Sequence, residues 1–285
     1  MYVPKLFVMK TILIPVDFSD TNTNAIKYAA DMGCDMPVKK IILLKSYYTS
    51  VYEQILPSPD FLLISADDIE NERQKIEVQL KELMKKLKNR CHENIEIETV
   101  VSTEPIVRAI HNVVEDQHPD LMIVGGDMGH ELSMIGEQII EIAKSSPVKV
   151  LIIPPDCSYQ KIEQALVPCD LEAVARLGVL KGLNTSHSWL NPRLMLLYVD
   201  PKKKHIGREA EFEASVKQLV NCYECKLHYS EDKNIVRGIL NFATEQQVQL
   251  IIALPGKHSF FYNLTHSSIT EALSLNARHP VLILK

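Results

Sequence analysis

The chain has 285 residues, with 46% apolar and 24% charged side chains, enough apolar material for one large core or two ordinary ones. A net charge of -5 gives no basic footprint for nucleic acid, and no apolar run has the length of a membrane helix. The start, MYVPKLFVMK, lacks the charged flank and cleavage site of a secretion signal, and Met9 is an alternative start. Six cysteines scattered along the chain do not form a disulfide framework, and a cytoplasmic location is the simplest expectation.

Thr11–Asp17, TILIPVD, has the continuous apolar character of a strand buried on both faces. Ser19 and Asp20 are placed to cap a helix over about Asn22–Met32, with Gly33 as its stop. Lys40–Lys45 reads as the next strand. Ser46–Ala66, broken by Pro57 and Pro59, is a connection long enough to be a lid or a partner-contacting loop. Asp67–Asn89 has Ile69, Ile76, Leu80, Leu83 and Leu87 at helical spacing. Ile95–Ser102 alternates like a strand near a sheet edge, and Glu104-Pro105 opens a helix to about Glu115. Leu121–Val124 is a fourth strand ending in Gly125-Gly126. A helix over about Gly136–Lys144 and the strand Val148–Ile153 follow. Strands alternating with helices imply a mostly parallel α/β sheet covered on both faces.

The order then repeats. IPVD at Ile14–Asp17 returns as VPCD at Val167–Asp170, and Leu43-Leu44 returns as Leu196-Leu197. IVRAI at Ile106–Ile110 returns as IVRGI at Ile235–Ile239, and VLII at Val150–Ile153 as VLIL at Val281–Leu284. We read two homologous domains, 9–155 and 161–285, joined by a short linker that keeps them in contact.

With its IPVDFSD opening strand, a glycine loop after the fourth strand, and closing strands PVKVLIIP and HPVLILK, the chain resembles a tandem universal stress protein over essentially its whole length. The resemblance implies that each domain is a five-stranded parallel, doubly wound sheet flanked by helices, the adenine nucleotide alpha hydrolase-like fold. It also implies that the two domains pair through their last strands. Nucleotide-binding members carry Gly, two residues, Gly, nine residues, then Gly-Ser or Gly-Thr. In them that loop and the Asp ending the first strand bind ATP.

Carried over residue by residue, the resemblance points to Asp17, Gly126, Gly129 and Gly136 as an adenine-nucleotide site, with magnesium if the ligand is ATP. Asp17 is open to two readings, a ligand acceptor at the switch point of the sheet or a turn for the following helix. The loop departs from the pattern. Six residues, not nine, precede Gly136, and Glu137 stands where a hydroxyl would meet a phosphate. In the second half Asp170 matches Asp17, but Leu254 and Lys257 replace the first two glycines and Ser267-Ser268 the Gly-Ser pair. That site is expected to be filled, with Phe260, Phe261 and Tyr262 packed over it or turned to a partner.

Cys222-Tyr-Glu-Cys225, without a second pair or matched histidines, does not make a zinc site. Lys202-Lys203-Lys204-His205 reads as a solvated basic turn. Neither a nucleophile elbow nor a Walker lysine is present, so no enzymatic activity is expected. A regulatory binding module is the reading favoured over a ligand-free interaction scaffold or a weak ATP hydrolase.

Overall fold

The computed structural model describes residues 10–48, 66–91, 94–126, 141–182, 190–220, 224–254 and 278–285. In the first half the elements are β1 (Lys10–Pro15), α1 (Asp20–Asp35), β2 (Val38–Ser46), α2 (Ala66–Lys88), β3 (Glu96–Ser102), α3 (Ile106–Gln117), β4 (Leu121–Gly125) and β5 (Lys149–Ile153). The second half has β6 (Gln164–Pro168), a 3-10 helix (Leu171–Gly182), β7 (Arg193–Val199), α4 (Glu209–Leu219), β8 (Cys225–Ser230), α5 (Ile235–Glu245), β9 (Leu250–Ala253) and β10 (Val281–Ile283).

Among the described residues the strands make one ten-stranded sheet in the order β3-β2-β1-β4-β5-β10-β9-β6-β7-β8. This reads as one five-strand order followed by its reverse. Each pairing is parallel except β5 with β10, which is antiparallel, with Leu151 opposite Leu282. Consequently the carboxyl ends of the first-half strands and those of the second-half strands lie on opposite edges of the sheet. The members of each repeated sequence pair occupy the same place in their half: β1 and β6 with the residues after them, β2 and β7, the first turns of α3 and α5, and β5 and β10.

The apolar runs explain the strands. Ile12, Ile14, Ile41, Leu43, Leu151 and Leu282 belong to the core on one face. Leu13, Ile42, Leu44, Val150, Ile152 and Val281 belong to the core on the other. A two-residue period with both sets buried is what a strand covered by helices on each side requires. Both cores run through the β5–β10 junction, so the two halves share buried surface on each face. β3, expected near an edge, lies at one edge of the sheet. Its Glu98 is held by Lys40 and by Gln117 Nε2 at 2.8 Å, which keep the carboxyl below its usual pKa range.

Local features depart from the sequence reading in several places. Gly33 does not stop α1. The helix continues to Asp35, and the Met36 N–H donates to Met32 O. Gly33 is instead a packing position, because a Cβ there would lie 2.9 Å from Ile95 Cδ1. That atom is the movable tip of a side chain, whereas alanine gains about 1 kcal/mol of helix propensity over glycine. Gly33→Ala is therefore expected to change stability by less than about 1 kcal/mol, read from the urea midpoint. Pro105 sits at the N-cap of α3, one residue before its first turn.

The second half also replaces the counterpart of α1 by a 3-10 helix. Val174, Leu177 and Leu180 recur every three residues, the 3-10 period, and face the core, Leu177 and Leu180 being fully buried. No helix among the described residues is long and apolar enough to cross a membrane.

Candidate functional site

In the first half the strand order reverses direction between β1 and β4, the switch point where open α/β sheets bind ligands. Asp17 follows β1, Gly125 ends β4 and Gly126 comes directly after it, so the topology brings them to the carboxyl edge at this point. Gly129 and Gly136, with His130 and Glu137, lie outside the described residues, as do Lys257, the aromatic run and Ser267-Ser268 of the second half.

Of the two roles read from the sequence, the contacts of Asp17 make the turn before α1. Its Oδ1 accepts from the Ser19 N–H at 2.9 Å and the Ser19 hydroxyl at 2.6 Å. Ser19 is itself the N-cap of α1, accepting from the Asn22 N–H at 3.2 Å. Among the described residues the other oxygen, Oδ2, is buried without a hydrogen-bond partner. Beside it, Asn22 is 2% exposed and donates from Nδ2 to Pro15 O at 2.6 Å, which leaves its Oδ1 buried and unpartnered as well. An unmet buried acceptor costs about 1–3 kcal/mol. Two of them flank the switch point.

The backbone here is also strained. Phe18 has φ 68°, a left-handed conformation unfavourable for a bulky side chain. The counterpart residue in the second half, Leu171, is not among the positive-φ positions and instead starts the 3-10 helix. The Lys45 ammonium lies 5.0 Å from the centre of the Phe18 ring. Burial lowers the Lys45 pKa, against the opposing charges of Asp17 and Glu72. Sequence reading missed Asn22 and Lys45. A lysine closing a doubly buried strand, directly after Leu44, was the available signal for the second.

The two glycines each have a task in the fold. A Cβ on Gly125 would stand 2.6 Å from Thr21 O, so its absence lets α1 begin against the end of β4. The Gly126 N–H donates to Ile153 O at 2.6 Å and is already committed to the sheet. At the equivalent end of β9, Leu254 is buried in the same core cluster as Cys169, Leu177 and Leu180.

A separate constellation lies at the ends of β7 and β8. Asp200 is 2% exposed and accepts from His205 Nδ1 at 2.8 Å, the His205 N–H at 2.9 Å and the Lys202 N–H at 3.2 Å. The His205 ring stacks on Tyr229 with centroids 4.5 Å apart. The basic turn is thus corrected. Its three lysines are exposed, but His205 is buried and organises the loop leading into α4. Among the described residues no group of His, Cys, Asp and Glu could hold a metal ion. A cavity of about 550 Å³ opens at the junction of the halves, walled by Tyr28, Cys157, Gln160, Gln247 and Arg278.

The family model described as Universal stress protein family matches residues 9–154, just over half of the chain. The chain belongs to the universal stress protein family. A universal stress protein from Archaeoglobus fulgidus DSM 4304 has a similar structure, with a TM-score of 0.66 at 16% identity, over 96% of this chain and 98% of its own. A functionally unknown protein from Pseudomonas aeruginosa PAO1 has a TM-score of 0.59 at 12% identity, over 98% of this chain and 93% of its own. At those identities the likeness is one of fold. No curated protein matches the chain. The mainly parallel, helix-flanked sheet is that of the universal stress proteins, and in this member the matched span contains Asp17, Asn22, Lys45 and Gly125-Gly126.

Proposed function

We propose that this universal stress protein is a regulatory binding module whose first half holds an adenine nucleotide at Asp17, Gly126, Gly129 and Gly136. The observation that carries this is the pair of buried acceptors without donors, Asp17 Oδ2 and Asn22 Oδ1, at the switch point. Acceptors call for donors, which ribose hydroxyls and an exocyclic amine supply. The strained Phe18 and the half-buried Lys45 beside them support the same reading. The committed Gly126 N–H makes the phosphate end the weaker one, so the nucleoside end contributes most of the affinity. ATP would bring magnesium to offset its charge.

In this reading the chain is two homologous domains, 9–155 and 161–285, paired internally through β5 and β10. The second is architectural, a reading supported by the burial of Leu254 in the core at the end of β9. The protein acts in the cytoplasm without catalysis of its own, by binding-linked bias of a surface offered to a protein partner. The competing reading is a ligand-free interaction scaffold in which both sites are degenerate; the burial of Leu254 and the commitment of the Gly126 N–H to Ile153 O favour it.

Thermal unfolding with adenosine, AMP and ATP, each with and without magnesium, tests the proposal. A ligand at 100 times its Kd adds about 2.7 kcal/mol, a rise of several degrees. Asp17→Asn keeps an acceptor for Ser19 but removes the charge, and is expected to stay folded while losing that rise. No rise with any of the three ligands would sink the nucleotide reading.

A further inference from the structure

Cys34 and Cys91 come from distant parts of the sequence, yet one contact draws their neighbours together. The Arg90 guanidinium forks onto Asp31, Nε to Oδ1 at 2.6 Å and Nη2 to Oδ2 at 2.7 Å. Cys34 is one turn beyond Asp31 on α1, and Cys91 directly follows Arg90. The Cys91 N–H donates to Leu87 O at 2.9 Å, which fixes it at the end of α2. Gly33, next to Cys34, lets the last turn of α1 lie directly against Ile95, four residues after Cys91. Cys34 is exposed, while Cys91 is half-buried at the rim of the core.

We propose that Cys34 and Cys91 form an oxidation site that closes to an intramolecular disulfide when the protein meets hydrogen peroxide. Cys34, open to solvent, reacts first. Its thiolate attacks one peroxide oxygen, an S–O bond forms, the O–O bond breaks, and hydroxide leaves and is protonated to water. Cys91 as thiolate then attacks the sulfenic sulfur. The S–S bond forms, the S–O bond breaks, and the leaving hydroxide takes up the thiol proton as a second water. Two thiols lose two electrons in total and one peroxide is reduced to two waters.

Burial, then the negative charges of Cys34 and Asp31, push the Cys91 thiol up to about 11, with Arg90 opposing them. The bond would fasten the far end of α1, the helix whose first turn frames Asp17 and Gly125.

The test treats the full chain with hydrogen peroxide, blocks residual thiols by alkylation, and maps non-reduced peptides by mass spectrometry. The expected product is a crosslinked peptide joining residues 34 and 91, lighter by two hydrogens than its two parts. It should be absent from Cys34→Ser and from Cys91→Ser, and reversed by dithiothreitol. A rise in melting temperature on oxidation, missing in both variants, would accompany it. Cys91 still alkylatable in oxidised protein would overturn the proposal. So would a Cys34 that ends as sulfinic acid, as a bond between two chains, or as a bond to Cys157.

Discussion

Replacing Gly125 by leucine, the residue at 254 that the strand register, unlike the motif spacing, places opposite it in the repeat, is expected to cost about 3 kcal/mol and to abolish any nucleotide-dependent stabilisation. The first contact a Cβ would make is with backbone: Thr21 O at 2.6 Å, Thr21 C at 2.8 Å and Asn22 N at 3.0 Å. No rotamer relieves such a clash, so the first turn of α1 must move away from β4. That turn holds Ser19 against Asp17 Oδ1 and Asn22 against Pro15 O, so both candidate acceptors move with it. The reciprocal change, Leu254→Ala, empties a buried leucine site and is expected to cost about 2–5 kcal/mol through lost burial and the cavity left behind. It should create no nucleotide affinity, because the second half has neither the left-handed residue after Asp170 nor an α-helix following it. Urea unfolding midpoints and ligand-dependent melting shifts read both arms. An unchanged midpoint for Gly125→Leu would show that α1 does not depend on that close approach.

Asp200→Ala is expected to cost about 3–5 kcal/mol, because it breaks a buried, hydrogen-bonded pair from one side. The His205 ring and two backbone N–H groups would lose their acceptor, and the loop from Asp200 to Arg208 would lose its anchor. Phe212 and Val216 of α4, both core residues, follow directly from that loop. Asp200→Asn retains one acceptor oxygen and should lose less.

A pH dependence follows from the same site. Burial works to raise the Asp200 pKa, but hydrogen bonds from the His205 ring, the His205 N–H and the Lys202 N–H outweigh it and hold the carboxyl below its usual value. A folded pKa below the unfolded one, about 3.9, makes the unfolded chain the better proton binder. Stability from this group is therefore fully present above that unfolded value and lost as pH falls through the lower folded one. Acid unfolding followed by tryptophan fluorescence or circular dichroism should show a smaller loss over this window in Asp200→Ala than in the parent chain. Equal losses would remove Asp200 from the acid response.

The strands were legible because a continuous apolar run of strand formers has few other uses in a chain that alternates with helices. TILIPVD, KIILLK and VKVLII each appear as doubly buried strands, and the paired segments of the repeat fall at matching places in the two halves. Membership of the universal stress protein family was likewise visible, in residues that lie close together in the chain. Asp17 was legible as a candidate because it ends the first strand. Gly33 misled, because a glycine late in a helix marks either a stop or a close contact. Only the position of Ile95 decides between them.

What only the tertiary structure decided depends on contacts between residues far apart in sequence. One Asp17 oxygen serves Ser19 and the other has no donor among the described residues, the Gly126 N–H is already given to Ile153, and Leu254 is buried in a core cluster. His205, read as part of a solvated turn, is buried against Asp200 and Tyr229 because β7 and β8 are neighbours. Local sequence carries propensity and period, which are properties of a few consecutive residues. The free energy of a buried polar group instead depends on which distant atoms surround it, and the assembled sheet fixes those.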